Sequence, residues 1–151
     1  MLTILKAAHA ELRVAITELE TETRRLEPVE ASLSAARLKL TRASSRRRML
    51  IDQQILPTLR DLPPEQKSRI DELRRTASDI AVQSSRHIGD WTMRAILADW
   101  QGYCRASKAM RNEMLQRIAD ESALLYPLLG GRVDETAARH GFATRQAAIP
   151  M

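Results

Sequence analysis

Apolar residues recur at three- and four-residue steps along four stretches of the chain, the spacing that keeps side chains on one face of an α-helix. The first seam runs Leu2, Leu5, His9, Leu12, Ile16, Leu19, Thr23 and Leu26, and the second runs Leu33, Ala36, Leu40, Ala43, Arg47 and Leu50. Ile70, Leu73, Ala77, Ile80 and Ser84 make the third. The fourth is the longest: Met93, Ile96, Trp100, Tyr103, Ser107, Met110, Met114, Arg117, Glu121, Leu124 and Leu128. Such faces bury themselves most economically against one another. The pattern therefore predicts an all-α chain folded as an up-down-up-down antiparallel four-helix bundle.

Helix-breaking residues divide the chain at the ends of these seams. Pro28 closes the first segment, Pro63-Pro64 opens the third, Gly89-Asp90 separates the third from the fourth, and Gly130-Gly131 closes the fourth. Asp90 is a candidate N-cap for the fourth helix, because its carboxylate can accept from the free amides of a first turn. The expected organisation is one bundle over residues 1–131 and a C-terminal tail over 132–151, loosely docked, with a helical turn around Glu135 to Arg139. At 151 residues and 44% hydrophobic content the chain can bury one sizeable core. Few aromatic residues and abundant Ala, Leu, Arg and Glu favour helix over strand. Cys104 has no cysteine to pair with, no apolar run reaches the length of a membrane span, and the N-terminus has no signal-peptide pattern. A cytoplasmic address is the expectation, with no membrane partner.

The net charge of +5 comes mostly from arginine, since only Lys6, Lys39, Lys67 and Lys108 are lysines. Acidic residues are interleaved with the basic ones, so most of these charges belong to a solvated, ion-paired surface. Glu22 is assigned to that surface. Arg46-Arg47-Arg48 has the charge of a nucleic-acid patch but lacks stacking aromatics and a recognition-helix motif, and nucleic acid is not expected as a partner. Met93, Met110 and Met114 at seam spacing read as core filling, and Cys104 as a buried, inert thiol. Trp91, Trp100 and Tyr103 are expected to pack against the first and third helices with their polar tips at a bundle edge.

Four polar residues fall where the pattern reserves the core: His9, Arg47, Arg117 and Glu121. The two halves of the chain also repeat weakly. His9-Ala-Glu-Leu-Arg matches Ile70-Asp-Glu-Leu-Arg, while Arg47 and Arg117 each stand ten positions before a proline, Pro57 and Pro127, with Ile51 and Glu121 each six before it. With the ending Leu125-Tyr126-Pro127, this arrangement resembles the hemerythrin-like, or HHE cation-binding, family over about residues Ala7 to Leu129.

That resemblance implies a di-iron site with a histidine early in the first and third helices and a His-x-x-x-Glu pair late in the second and fourth. Here His9 fits the first-helix ligand and Glu121 a bridging carboxylate, but Ile70, Arg47, Ile51 and Arg117 stand where the others would be. Two ligands cannot hold two metal ions, and a guanidinium at a ligand position repels a cation. His87 and His140 lie too far along the chain to repair the set.

The chain is thus expected to be a hemerythrin-like protein without metal, cofactor or catalytic residues. His9, Arg47, Arg117 and Glu121 would form an Arg/Glu/His cluster that neutralises the stranded carboxylate and accepts a small anion. The role implied is a non-catalytic binding or regulatory module for a small anion or a protein partner. Two alternatives stay open: a mononuclear metal site of His9 and Glu121 with Asp52 or Asp120, and a structural homo-oligomer.

Overall fold

The computed structural model describes the backbone of residues 1–146 and the side chains of residues 1–130. Among the described residues the regular structure is entirely helical: α1 (Leu2–Thr23), α2 (Glu30–Met49), α3 (Pro64–Asp90), α4 (Met93–Ala98) and α5 (Trp100–Gln146).

In α1 the buried face is Leu5, His9, Leu12, Ala15, Ile16, Leu19 and Glu22, following the seam but adding Ala15 and Glu22 beside it. The helix stops at Thr23, where the Arg24 amide bonds back to the carbonyls of Glu20 and Thr21 at 3.1 and 3.3 Å, and Pro28 follows. Leu26 lies beyond that end and is 98% exposed, so the last member of the seam falls outside the helix. Glu22, expected in solvent, is buried: Ser32 Oγ donates to its carboxylate at 2.8 Å and Arg25 Nε at 3.1 Å, tying the α1–α2 connection.

Leu33, Ala36, Leu40, Ala43 and Arg47 are the buried face of α2. Glu30 in its first turn and Arg46, Arg47 and Arg48 in its last complement the helix dipole. Past Met49 the helix widens into a π-helical turn over Leu50–Ile55, then tightens into a 3-10 turn over Leu56–Thr58. The wider turn brings Leu50, Ile51 and Ile55 all inward, which a strict α-helix would not do as readily.

Pro64 opens α3, where its missing amide costs nothing. Only Ile70 and Leu73 of the third seam are buried; Ala77, Ile80 and Ser84 instead line a cavity. The fourth segment is broken. Thr92, not Asp90, caps α4 by accepting from the Ala95 amide at 3.2 Å, and Asp99 then caps α5 by accepting from the Gly102 amide at 2.9 Å. The helix expected to close at Gly130-Gly131 runs on to Gln146, since neither a left-handed residue nor any other break intervenes. Glycine permits a left-handed cap but does not impose one. The predicted tail therefore continues α5 through its backbone; its docking and the side chain of His140 lie outside the described residues, as do 147–151 altogether.

Cross-helix bonds give the relative directions. Lys39 pairs with Glu18 at 2.6 Å and Arg46 with Glu11, so α2 retraces α1. Trp100 Nε1 donates to the Arg25 carbonyl at 3.0 Å near the end of α1, while His9 near its start meets Glu121 late in α5. Arg117 of α5 reaches Leu73 early in α3, and His87 late in α3 stacks on Tyr103 early in α5. Thus α5 runs antiparallel to both α1 and α3. No helix among the described residues is long and apolar enough to cross a membrane.

The core falls into two apolar clusters. One contains Leu12, Ile16, Leu19, Leu33, Leu40, Ile96, Tyr103 and Ile118; the other contains Leu5, Leu50, Ile51, Ile55, Ile70, Leu73, Leu125 and Leu129. The charged residues interrupt the seams at the boundary between them.

Candidate functional site

Three of the boundary residues are flanked along their helices by one member of each cluster: His9 by Leu5 and Leu12, Arg47 by Ala43 and Leu50, Glu121 by Ile118 and Leu125. Three-four spacing on three helices thus delivers a polar layer into the interior. Its centre is Glu121, 2% exposed. Oε1 accepts from His9 Nε2 at 2.9 Å, while Oε2 accepts from Arg47 Nη1 at 2.8 Å and Arg117 Nε at 3.1 Å. The structure brings all four sequence-predicted residues into one network.

The network has partners that periodicity did not reveal. Tyr126 Oη lies 2.6 Å from His9 Nδ1, so the tautomer carrying its proton on Nε2 satisfies both ring nitrogens: the phenol donates to one, the other donates to Glu121. Arg117 turns its other two nitrogens to α3, with Nη1 to Thr76 Oγ1 at 2.7 Å and Nη2 to the Leu73 carbonyl at 2.8 Å. Its fork is therefore committed to protein acceptors. Arg47 is not: its Nε is buried and has no hydrogen-bond partner. Two guanidinium groups face one carboxylate, leaving the layer positive.

The same layer shows how the mononuclear metal alternative fares in geometry. His9 and Glu121 point their donor atoms at each other and at cations. Asp120 accepts from Gln116 at an exposed site, and Asp52 is exposed. Among the described residues no group of three or more His, Cys, Asp or Glu side chains is placed to hold a metal ion.

From Arg47 a cavity of about 150 Å³ runs between α2, α3 and α5 to Tyr103 and His87. Small residues hold it open, with Ser44 and Ser45 on α2 facing Ala77, Ala81, Ser84 and Ser85 on α3. At the far end Tyr103 is fully buried, contrary to the expectation of a polar tip at the edge. Its ring sits among Trp100, Trp91 and His87 at centroid distances of 5.8, 5.7 and 6.2 Å, and the Arg37 guanidinium lies 5.5 Å from its centroid. His87 Nε2 is buried without a hydrogen-bond partner, and the buried Tyr103 hydroxyl has only Ser107, one turn along α5, to bond to. An unpaired buried polar group carries a cost of about 1–3 kcal/mol.

Burial raises the Tyr103 phenol, against weaker opposing effects of Arg37 and Ser107. It lowers the His87 imidazole, with Arg37 acting in the same direction and Asp90 against. A histidine kept neutral by the fold takes up its proton more readily when unfolded, so stability falls as pH drops through the ordinary histidine range, from about pH 7 to 5. The urea midpoint of the parent should decline more steeply across that window than that of His87→Gln. Identical declines would assign the acid sensitivity to other groups.

A third buried arginine, Arg111, was missed by sequence reasoning. Arg111 donates Nε to Ser107 Oγ at 3.3 Å and Nη2 to Thr23 Oγ1 at 3.2 Å, linking α5 to the end of α1. The signal was present in Thr23 and Ser107, polar members of two seams. Cys104 nearby donates to the Thr23 carbonyl at 3.4 Å, and burial pushes its thiol up, away from the reactive thiolate. Comparison with family models, with curated proteins and with solved structures finds no match to this chain.

Proposed function

We propose that this chain is an up-down-up-down four-helix bundle of the hemerythrin-like kind that has exchanged its di-iron centre for an organic ion-pair network, and that it works as a non-catalytic binding or regulatory module. The observation that carries this reading is the complete use of Glu121: the carboxylate that would bridge two metals in such a protein accepts instead from His9, Arg47 and Arg117. On the hemerythrin-like resemblance, both arginines stand where histidine ligands would be. A fixed guanidinium supplies the positive charge that a metal would have supplied, and it neither dissociates nor changes oxidation state. Anion recognition has an agent in this layer in Arg47, whose guanidinium bonds to Glu121 through Nη1.

The test is metal content. Protein produced in iron-supplemented medium without chelators should contain far less than one equivalent of iron or zinc per chain, and should lack the charge-transfer absorption of an oxo-bridged di-iron centre. Two equivalents of iron with that absorption would overturn the reading.

A further inference from the structure

The bundle is open along one side. Lys39 ties α2 to α1, His9 ties α1 to α5, and Arg117 ties α5 to α3. Among the described residues no hydrogen bond or ion pair joins α2 to α3 directly; the nearest tie is Arg37 Nη2 to the Trp91 carbonyl at 2.6 Å, just past the end of α3. That bond closes one end of the gap, and the Glu121 layer, which holds Arg47 and, through Arg117, Thr76, closes the other. Between these ends the two helices run antiparallel as a pair of lips. Arg37 to Arg48 on α2 and Ala77 to Ile88 on α3 each span three turns, about 16 Å. The lips are small side chains, and the floor is Leu40, Ile80, Met110 and Met114. Apolar surface continues onto the rim: Leu38, one turn from Thr41, Met49, one turn from Ser45, and Ile88 are each about half exposed. The charge is one-sided. Arg37, Arg47, Arg48 and Arg117 line the groove against Asp52 and Glu121, of which Glu121 is already taken by the interior layer. Exposed Arg74, three residues before Ala77, adds a further cation at the rim.

We infer that the open α2–α3 side receives an acidic amphipathic helix of a partner protein. This names the kind of partner for the binding-module reading and rests on that reading. The small lips let a third helix approach closely, since the distance between packed helices is set by the side chains at the contact. Apolar anchors at three- and four-residue steps on the incoming helix enter between the lips, above Leu40 and Ile80, where Met110 and Met114 adjust to their shape. Carboxylates flanking those anchors face Arg48 and Arg74, which gives the complex its sign and steers the encounter. A second copy of this chain is disfavoured as the occupant, because it would bring the same positive rim against itself. An anionic membrane surface would meet the rim arginines but leave the recess between the helices unfilled.

The probe is a displayed library of three-turn helices on a helical-hairpin scaffold. Positions on one face vary over Ala, Leu and Met, and the flanking positions over Glu, Ser and Lys. The library is panned on the parent and counter-panned on Ala81→Trp, whose ring fills the groove from the α3 lip without touching the ion-pair layer. The expected pool carries Leu or Met at three- and four-residue steps and Glu, not Lys, on the flanks. In titration calorimetry its tightest member should bind the parent one to one and weaken about tenfold or more in Ala81→Trp. Ser45→Trp, which blocks from the α2 lip, should do the same, with unchanged circular dichroism showing that both variants are folded. Arg48→Gln, Arg74→Gln should weaken binding about threefold and flatten its dependence on salt. A selection that yields no parent-specific helix, or one rich in Lys on the flanks, overturns the proposal, as does binding that neither tryptophan disturbs. Self-association of the parent lost in Ala81→Trp would make a second copy the occupant and overturn it too. Sedimentation with phosphatidylglycerol vesicles, lost in the same variant, would do so in favour of a membrane. All of this is measured on protein of known iron content: stoichiometric iron removes the metal-free reading, whereas a failed selection on iron-free protein removes the helical partner alone.

Discussion

Glu121→Ala is expected to destabilise the fold by about 3–5 kcal/mol, the range found when one partner of a buried ion pair is removed and the other left behind. The reason lies in who is stranded. His9 Nε2, Arg47 Nη1 and Arg117 Nε all donate to this one carboxylate, and none is exposed enough to be re-solvated without opening the helices. Glu121→Gln should cost less, because its amide oxygen still accepts, although it no longer balances two guanidinium charges. Glu18→Ala makes a useful control: its pair with Lys39 is nearly half exposed on both sides, and its loss should cost less than about 1 kcal/mol. Denaturant titrations of the three variants give the comparison directly. Comparable small losses for Glu121→Ala and Glu18→Ala would show that the interior layer is solvated.

The layer was legible in the sequence for a simple reason. A helix seam is a register of burial, and a charged residue in register announces either a partner or a site; His9, Arg47, Arg117 and Glu121 were all in register, and all four meet. Tyr126 was not, being one step from the buried Leu125, and its reach to His9 depends on how closely α1 and α5 approach. Thr76 escaped for the same reason, since its bond to Arg117 is a property of the α3–α5 contact and not of either helix alone. The cavity was illegible in principle. Ala77, Ala81, Ser84 and Ser85 look in sequence like ordinary filling for a closely packed face, and only the separation of α2 and α3 turns small side chains into space. Local breaks were the other loss. Asp90 has capping chemistry but ends α3, and Thr92 and Asp99 take the two helix starts that follow.

A fourfold substitution that makes the layer apolar should recover what Glu121→Ala loses. In His9→Leu, Arg47→Met, Arg117→Met, Glu121→Leu no charged donor remains without an acceptor, and the two apolar clusters become continuous through Leu5, Leu12, Ile118 and Leu125. Replacing a buried ion network with hydrophobic residues of similar volume is commonly neutral or stabilising by about 1–4 kcal/mol, because the desolvation of the charges is no longer required. The groups released can be served elsewhere: the Leu73 carbonyl still accepts from Thr76 Oγ1 at 3.2 Å, and the Tyr126 hydroxyl, which donates to His9 in the parent, is only partly buried. The expected urea midpoint is therefore at or above the parent's and well above that of Glu121→Ala, with calorimetry showing any response to inorganic phosphate gone. A fourfold variant as unstable as Glu121→Ala would mean that the charged layer holds the bundle together. Recovery of stability with loss of binding would mean that a layer the fold does not need is there for what it binds.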